Sequence, residues 1–428
     1  MTGTPAAPSA LSAGLAGGPA VGTLAALSVG SQVASAVGTP AALAALSAGS
    51  QVASVGPAAD TGERPSRHHQ VRRQAGRGRR SMLPGNLGQM TDQIVPSTAP
   101  GLSGHAAPIA KWPGELVSLP AVGDVFVRAA PAQPGAEPAL FVHGLGGSAS
   151  NWTDLMGLVC QPSEQPGVPA LACEALDLPG FGYSPPPADG DYSLDARVAA
   201  VIALIEQRAN WPVHLIGNSM GGAIVTRIAA RRSDLVRSLT LVSPAMPDLR
   251  PRLLPMRLAL VSTPGVGRMV MTRMARYPAE KRTDMTIMDL YADPALLHPV
   301  RRAEAIAEVT RRDGLSHSAD ALLESGRALV SEYMRRGPGS LWRDAARVSA
   351  PTLVIHGSHD RLVNPQTAAR AARTFRTCRV VVLPKIGHVA MMERPDLVAA
   401  EMRSFLASAA KGPGGPAAGR SLADQAIG

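Results

Sequence analysis

"VHLIGNSMGGAIVTRIAA", residues 213–230, poses the question on which the chain turns. Residues 213–217 form a short apolar run of strand length, and apolar residues return with helical spacing after Ser219. The motif G-x-S-x-G alone is weak, because a chain with 43 glycines in 428 residues can match it by accident. A strand directly before it and a helix directly after it give it meaning. At such a junction a sharp turn strains the serine backbone and lifts its hydroxyl clear of the sheet. Gly217 and Gly221 would let strand and helix pass without a Cβ clash. The helix N-terminus would aim free N–H groups at a developing oxyanion.

A serine hydroxyl is a poor nucleophile until a base takes its proton. "VIHGSHDRLVNP" places Asp360 just after a buried apolar run, and "VVLPKIGHVAMME" places His388 just after the next. The chain order Ser, Asp, His, each at the end of a strand, is that of a nucleophile, an orienting acid and a general base. Asp248 is the rival acid at a neighbouring strand end. A fourth piece, "FVHGLGGSASNW", is a glycine-rich loop after a strand. It can direct the backbone N–H of Leu145 to the same point as that of Met220, forming an oxyanion hole. His143 in this loop and His214 in its strand read as structural histidines, and His359 as a neighbour of the site.

Outward from these motifs, strand and helix alternate. "ALFVHG", "LACEALDLPG", "VHLIG", "VRSLTLVSP", "PTLVIHG" and "RVVVLP" read as strands, with helices at 193–209, 220–232, near 365–373 and after Arg394. This predicts an α/β fold: a mostly parallel sheet with helices on both faces. From 247 to 341 the alternation breaks into helical segments that hold seven of the sixteen methionines. A helical cap is therefore expected there, inserted between core segments 112–246 and 342–410. The cap methionines read as apolar core.

Residues 1–110 read differently. The first 63 are mostly Ala, Gly, Ser, Pro and Val without an aromatic, and "LAALS" and "GSQVAS" each occur twice at a 19-residue spacing. Two copies do not make a stacked array, so a disordered low-complexity extension is expected, or else an upstream start with Met82 and Met90 as later ones. Residues 64–80 carry seven Arg and no acid. Without them and the two acids before them, 35 basic and 30 acidic residues remain, so the positive balance is largely local. No aromatic interleaves those arginines, and a solvated tail rather than a nucleic-acid platform is the expectation. The tail 411–428 is expected to be loose. No 18-residue apolar run suggests a membrane span. Cys160, Cys173 and Cys378 form neither a disulfide framework nor a metal cluster, which fits a reducing cytoplasm.

Over residues 112–410 the chain resembles the capped serine-nucleophile α/β-hydrolases. The resemblance rests on "HGLGGSASNW", "DLPGFGYS", "GNSMGGA", "HGSHDRLVNP" and "GHVAMMERP". It implies Ser219 as nucleophile, His388 as general base and acid, and Asp360 as its orienting partner. Leu145 and Met220 would supply the oxyanion N–H groups, and the substrate pocket would lie under the cap. No metal or organic cofactor is implied. The related epoxide hydrolases and dehalogenases carry aspartate where this chain has Ser219. A serine ether formed on an epoxide would not readily hydrolyse, so those activities are not expected. The expected activity is carboxylic-ester hydrolysis on a small-molecule acyl substrate. The alternative is carbon–carbon cleavage of the meta-cleavage-product type, suggested by "GNSMGG", although those enzymes commonly have Trp where Val389 follows His388. A catalytically idle small-molecule binder is the remaining class.

Overall fold

Strands buried on both faces lose the alternation of half-exposed ones, and their successive side chains feed two separate cores. The computed structural model describes residues 94–96, 108–163, 165–248 and 253–410. Its strands are β1 (Ile94–Pro96), β2 (Gly114–Leu119), β3 (Gly123–Ala129), β4 (Glu137–Val142), β5 (Leu171–Leu176), β6 (Val213–Asn218), β7 (Val236–Val242), β8 (Thr352–Gly357) and β9 (Cys378–Leu383). They form one sheet in the order β1-β9-β8-β7-β6-β4-β5-β3-β2. The pairs β2–β3 and β3–β5 are antiparallel; the others are parallel. Every residue of β6 and β8 is buried. Leu215, Leu241, Val354 and Val380 enter one core, while their neighbours Ile216, Val242, Ile355 and Val381 enter the other.

The helices that cover these cores before the break are α1 (Thr153–Val159), α2 (Leu194–Arg208) and α3 (Met220–Arg231). Between β7 and β8 come α4 (Leu253–Val261), α5 (Val266–Met274), α6 (Ala279–Leu290), α7 (Pro299–Asp313), α8 (Ser318–Met334) and α9 (Leu341–Ala345). Then follow α10 (Thr367–Thr374), α11 (Ala390–Glu393) and α12 (Pro395–Ala410). Val198 of α2, Ile224 of α3 and Ala368 of α10 share the first core; Leu155 of α1 and Val398 of α12 share the second. Local chemistry sets the helix ends where they fall. Ser193 caps α2 by accepting a hydrogen bond from the Ala196 N–H at 3.1 Å, which satisfies one of its orphan amides.

The insertion differs from the expectation in one respect. Met246, just before it, and Met271 and Met274 within it are buried, but Met256, Met269, Met288 and Met334 are each more than half exposed. Each of these four stands at the insertion's surface, where the side chain meets solvent. Within the stretch read as an extension, Ile94–Pro96 pairs in parallel with β9 at the sheet edge. The repeats, the basic segment 64–80 and the tail 411–428 lie outside the described residues. Among the described residues no helix is long and apolar enough to cross a membrane. Cys160 and Cys173 are buried and Cys378 half-buried, all as free thiols.

Candidate active site

The sheet order reverses between β4 and β6: the chain runs from β4 to β5 on one side and returns to β6 on the other. Loops leaving the carboxyl ends of β4 and β6 diverge there and leave a crevice, the usual ligand position in such sheets. Both glycine-bearing motifs sit at this point. Ser219 follows β6 directly with φ 53° and ψ −117°, and α3 begins at Met220. A non-glycine residue at positive φ is strained and persists only where its surroundings over-determine it. Here the Ser219 N–H donates to the Val242 carbonyl, and the Ser219 carbonyl accepts from Ala223 and Ala245. A Cβ at Gly221 would lie 2.1 Å from the Val142 carbonyl oxygen. The helix therefore crosses β4 only because that position is glycine.

The loop after β4 comes equally close. A Cβ at Gly144 would sit 3.0 Å from the Ser219 Cβ, which puts Leu145 beside the serine. His143 fastens this loop. Its Nε2 accepts from the Leu178 N–H at 2.9 Å, so Nδ1 carries the proton and donates to the Gly144 carbonyl at 2.8 Å. Burial pushes this imidazole down to about 3, keeping it neutral. Asp177 joins the same loops by accepting from the Ala149 and Tyr183 N–H groups at 2.6 and 2.8 Å. His143 is thus structural, as is His214, which bridges Ser238 and Glu137.

Asp360 and His388 come from the loops after β8 and β9. His388 Nδ1 lies 2.9 Å from Asp360 Oδ2, while Asp360 Oδ1 accepts from the Leu362 and Val363 amides at 2.8 and 2.9 Å. Burial raises the Asp360 carboxyl, but the His388 charge and hydrogen bond and the Val363 amide outweigh it and hold it below the ordinary range. The rival Asp248 instead accepts a hydrogen bond from Asn364 at 2.8 Å. His359 contacts Ser358. Ser219 and His388 line one cavity of about 830 Å³, walled by apolar side chains such as Phe181, Leu290, Leu322 and Leu329. Met220, one residue on, opens α3, where first-turn N–H groups have no acceptor within the helix.

The cavity also receives a charged stripe from α7: Arg301, Glu304, Glu308 and Arg312. These charges are matched. Arg301 pairs with Asp154 and Glu304, and Arg312 pairs with Glu308. Arg311 and Arg312 also reach across to the Gly182 and Gly146 carbonyls at 2.5 and 2.7 Å. Reading the chain by motif missed these residues. Their i, i+3 and i, i+4 spacing is visible in the sequence, but their backbone targets lie more than a hundred residues away. It also missed Asn218, whose Nδ2 donates to the Val242 and His388 carbonyls at 3.0 and 3.3 Å.

A family model described as "Alpha/beta hydrolase family" matches residues 139–401. The chain belongs to the alpha/beta hydrolase family. Over 283 residues it is 29% identical to the dihydrolipoyllysine-residue acetyltransferase component of the acetoin cleaving system of Pseudomonas putida. That match covers 64% of this chain and 64% of the relative, so the chain spans less than two thirds of that protein. It is 25% identical to Lipase 1 of Psychrobacter immobilis, covering 68% of this chain and 84% of the lipase. To 2-hydroxymuconate semialdehyde hydrolase of Pseudomonas putida it is 26% identical, covering 64% and 88%. Among solved structures, a bacterial membrane phospholipase A superposes with a TM-score of 0.55 at 22% identity, covering 70% of this chain and 87% of that one. That likeness concerns the fold. This alpha/beta hydrolase has relatives named for more than one reaction, so its own chemistry rests on its site.

Proposed function

We propose that the protein hydrolyses carboxylic esters of apolar acids through a covalent acyl-enzyme. One observation carries the reading. Ser219, held at positive φ on a strand–helix junction, faces the same cavity as a histidine whose far nitrogen is hydrogen-bonded to a buried carboxylate. In this reading Ser219 Oγ attacks the ester carbonyl as its proton passes to His388 Nε2. Asp360 keeps the proton of the neutral ring on Nδ1 and stabilises the imidazolium that forms. The carbonyl electrons move onto oxygen, which accepts from the Leu145 and Met220 amides. His388 then protonates the departing alkoxide. Water, activated by the same ring, releases the acid and restores Ser219.

The insertion is read as a cap that supplies the acyl wall. Of the arginines at the cavity, Arg301, Arg312 and Arg335 pair with carboxylates, Arg336 donates to the Tyr333 carbonyl at 3.0 Å, and Arg370 of α10 packs on Trp342 at 4.3 Å. A neutral, apolar acyl chain suits that lining better than an acidic one. Carbon–carbon hydrolysis of vinylogous diketones is the second reading, favoured by the 26% identity to 2-hydroxymuconate semialdehyde hydrolase. Val389 beside His388 counts against it.

The deciding experiment is a burst assay on p-nitrophenyl esters from acetyl to dodecanoyl. The expected result is one nitrophenolate released per enzyme and then steady turnover. In Ser219→Ala both should fall by at least about 10³-fold. Absence of turnover by the folded wild type on every ester, with cleavage of a vinylogous diketone, would favour the second reading instead.

A further inference from the structure

The loop that carries His388 is gripped from two sides. The core holds its carbonyl through Asn218 Nδ2 at 3.3 Å. The insertion holds its N–H, which donates to the carbonyl of Leu290, the last residue of α6, at 2.7 Å. The approach is close. A Cβ at Gly387 would lie 2.4 Å from the Leu290 oxygen and 2.6 Å from the Ala292 nitrogen. Only glycine lets the two backbones touch there.

Between them sits Glu393. The four-residue α11 folds the chain back, so that this side chain, 3% exposed, returns beneath the residue preceding His388. One oxygen, Oε2, accepts from the Gly387 N–H at 2.9 Å and from the Ala292 N–H at 3.1 Å; Oε1 accepts from the Asp293 N–H at 3.4 Å. One carboxylate thus binds an amide of the core loop and two of the insertion. Amide hydrogen bonds to an anion are stronger than neutral ones, and this anion is shared across the boundary between the two parts of the molecule.

We propose that Glu393 is a positioning residue that ties the His388 loop to the Leu290–Asp293 turn, so that the seating of the insertion sets where the imidazole stands relative to Ser219. The catalytic half of this statement rests on the acyl-transfer reading; the tether itself does not. A displacement of about 1 Å at a reacting group can cost about 10²-fold in rate, which sets the scale of the expected effect.

Two variants of the full chain test it from opposite sides. Glu393→Gln keeps the shape but turns an NH₂ group towards amide donors. Ala292→Pro removes one donor from the insertion and puts a ring methylene in the path of that hydrogen bond, so the tether is broken while Glu393 itself is not substituted. Tyr291 before it, at φ −92° and ψ 142°, already has the extended backbone that a residue preceding proline adopts. Amide hydrogen exchange is read at 290–293 and 387–393, together with kcat and KM on the best ester. In both variants exchange should rise by about tenfold at both segments while β6 and β8 stay protected. In parallel kcat should fall by about 10²-fold with KM changed by less than about threefold. Unchanged exchange at 290–293 in Glu393→Gln overturns the proposal, as does kcat within about twofold of wild type. Exchange rising throughout the sheet would mark a general loss of stability and overturns it too. Should the wild type lack Ser219-dependent turnover, the ester reading fails, and the exchange result alone decides for or against the tether.

Discussion

Ser219 sits in a region of backbone space that a side chain occupies at a cost of about 1–3 kcal/mol. Neighbouring backbone offsets this strain: Val242 accepts its N–H, and Ala223 and Ala245 donate to its carbonyl. The arrangement depends on close passage at Gly221, where any Cβ would meet a backbone oxygen rather than a flexible side chain. Gly221→Ala should therefore destabilise the fold by about 3 kcal/mol, read as a lower urea midpoint with an unchanged slope. An unchanged midpoint would show that α3 can shift on β4 at little cost. At this scale Ser219, Asp360 and His388 could be read from the chain, because each follows an apolar run of strand length. Glu393 and Asn218 could not. Glu393 stands in "GHVAMMERP" and Asn218 in "GNSMGGA", but what each binds is not written there, since the partners of Glu393 at 292 and 293 belong to a different part of the chain.

Helix α7 shows how one element can serve two surfaces. Burial raises the Glu308 carboxyl, but the hydrogen bond from Arg311 and the charges of Arg312 and Arg311 outweigh it and hold it down to about 2. Its folded value lies below the ordinary 4.5. Its contribution to stability is therefore complete above pH 4.5 and is lost as the pH falls towards 2. The melting temperature of wild type should exceed that of Glu308→Gln at pH 6, and the gap should shrink below pH 4.5 and close only below about pH 2. A gap that stays constant with pH would mean that the loss in Glu308→Gln is one of shape, not charge. The helix was legible as helix, since its apolar and charged residues recur at helical spacing. Its grip on the Gly146 and Gly182 carbonyls was not, because backbone acceptors leave no mark on composition.

Over the whole molecule, one buried cation joins four elements. Arg227 of α3 is fully buried and pairs with Glu332 of α8 at 2.6 Å, Asp344 of α9 at 3.0 Å and Asp195 of α2 at 3.2 Å. Removing the cation alone leaves two buried carboxylates, with Arg335 and Arg347 as their remaining, half-exposed partners. Arg227→Met should lower stability by about 3 kcal/mol in guanidinium unfolding. The triple variant with Glu332→Leu and Asp344→Leu should recover most of it. Failure of the triple variant to recover would show that the network orders the return of the insertion rather than only balancing charge. The parallel sheet and its interruption were evident from the strand–helix alternation. The joints between sheet and insertion were not, since they pair residues far apart in the chain, as Ala292 with Glu393 and Arg312 with Gly146.

The insertion leaves from β7 and returns to β8, two strands that lie side by side. An ancestor could thus exchange this segment for another without disturbing the register of the sheet, and a protein engineer could attempt the same graft. The Leu290–Asp293 turn restricts which donors would succeed. A replacement must bring a carbonyl to meet the His388 amide and amides to meet Glu393, or it will supply a new pocket over a misplaced imidazole. Diversification of such hydrolases by swapping whole segments is then limited less by the pocket than by one short turn at its rim.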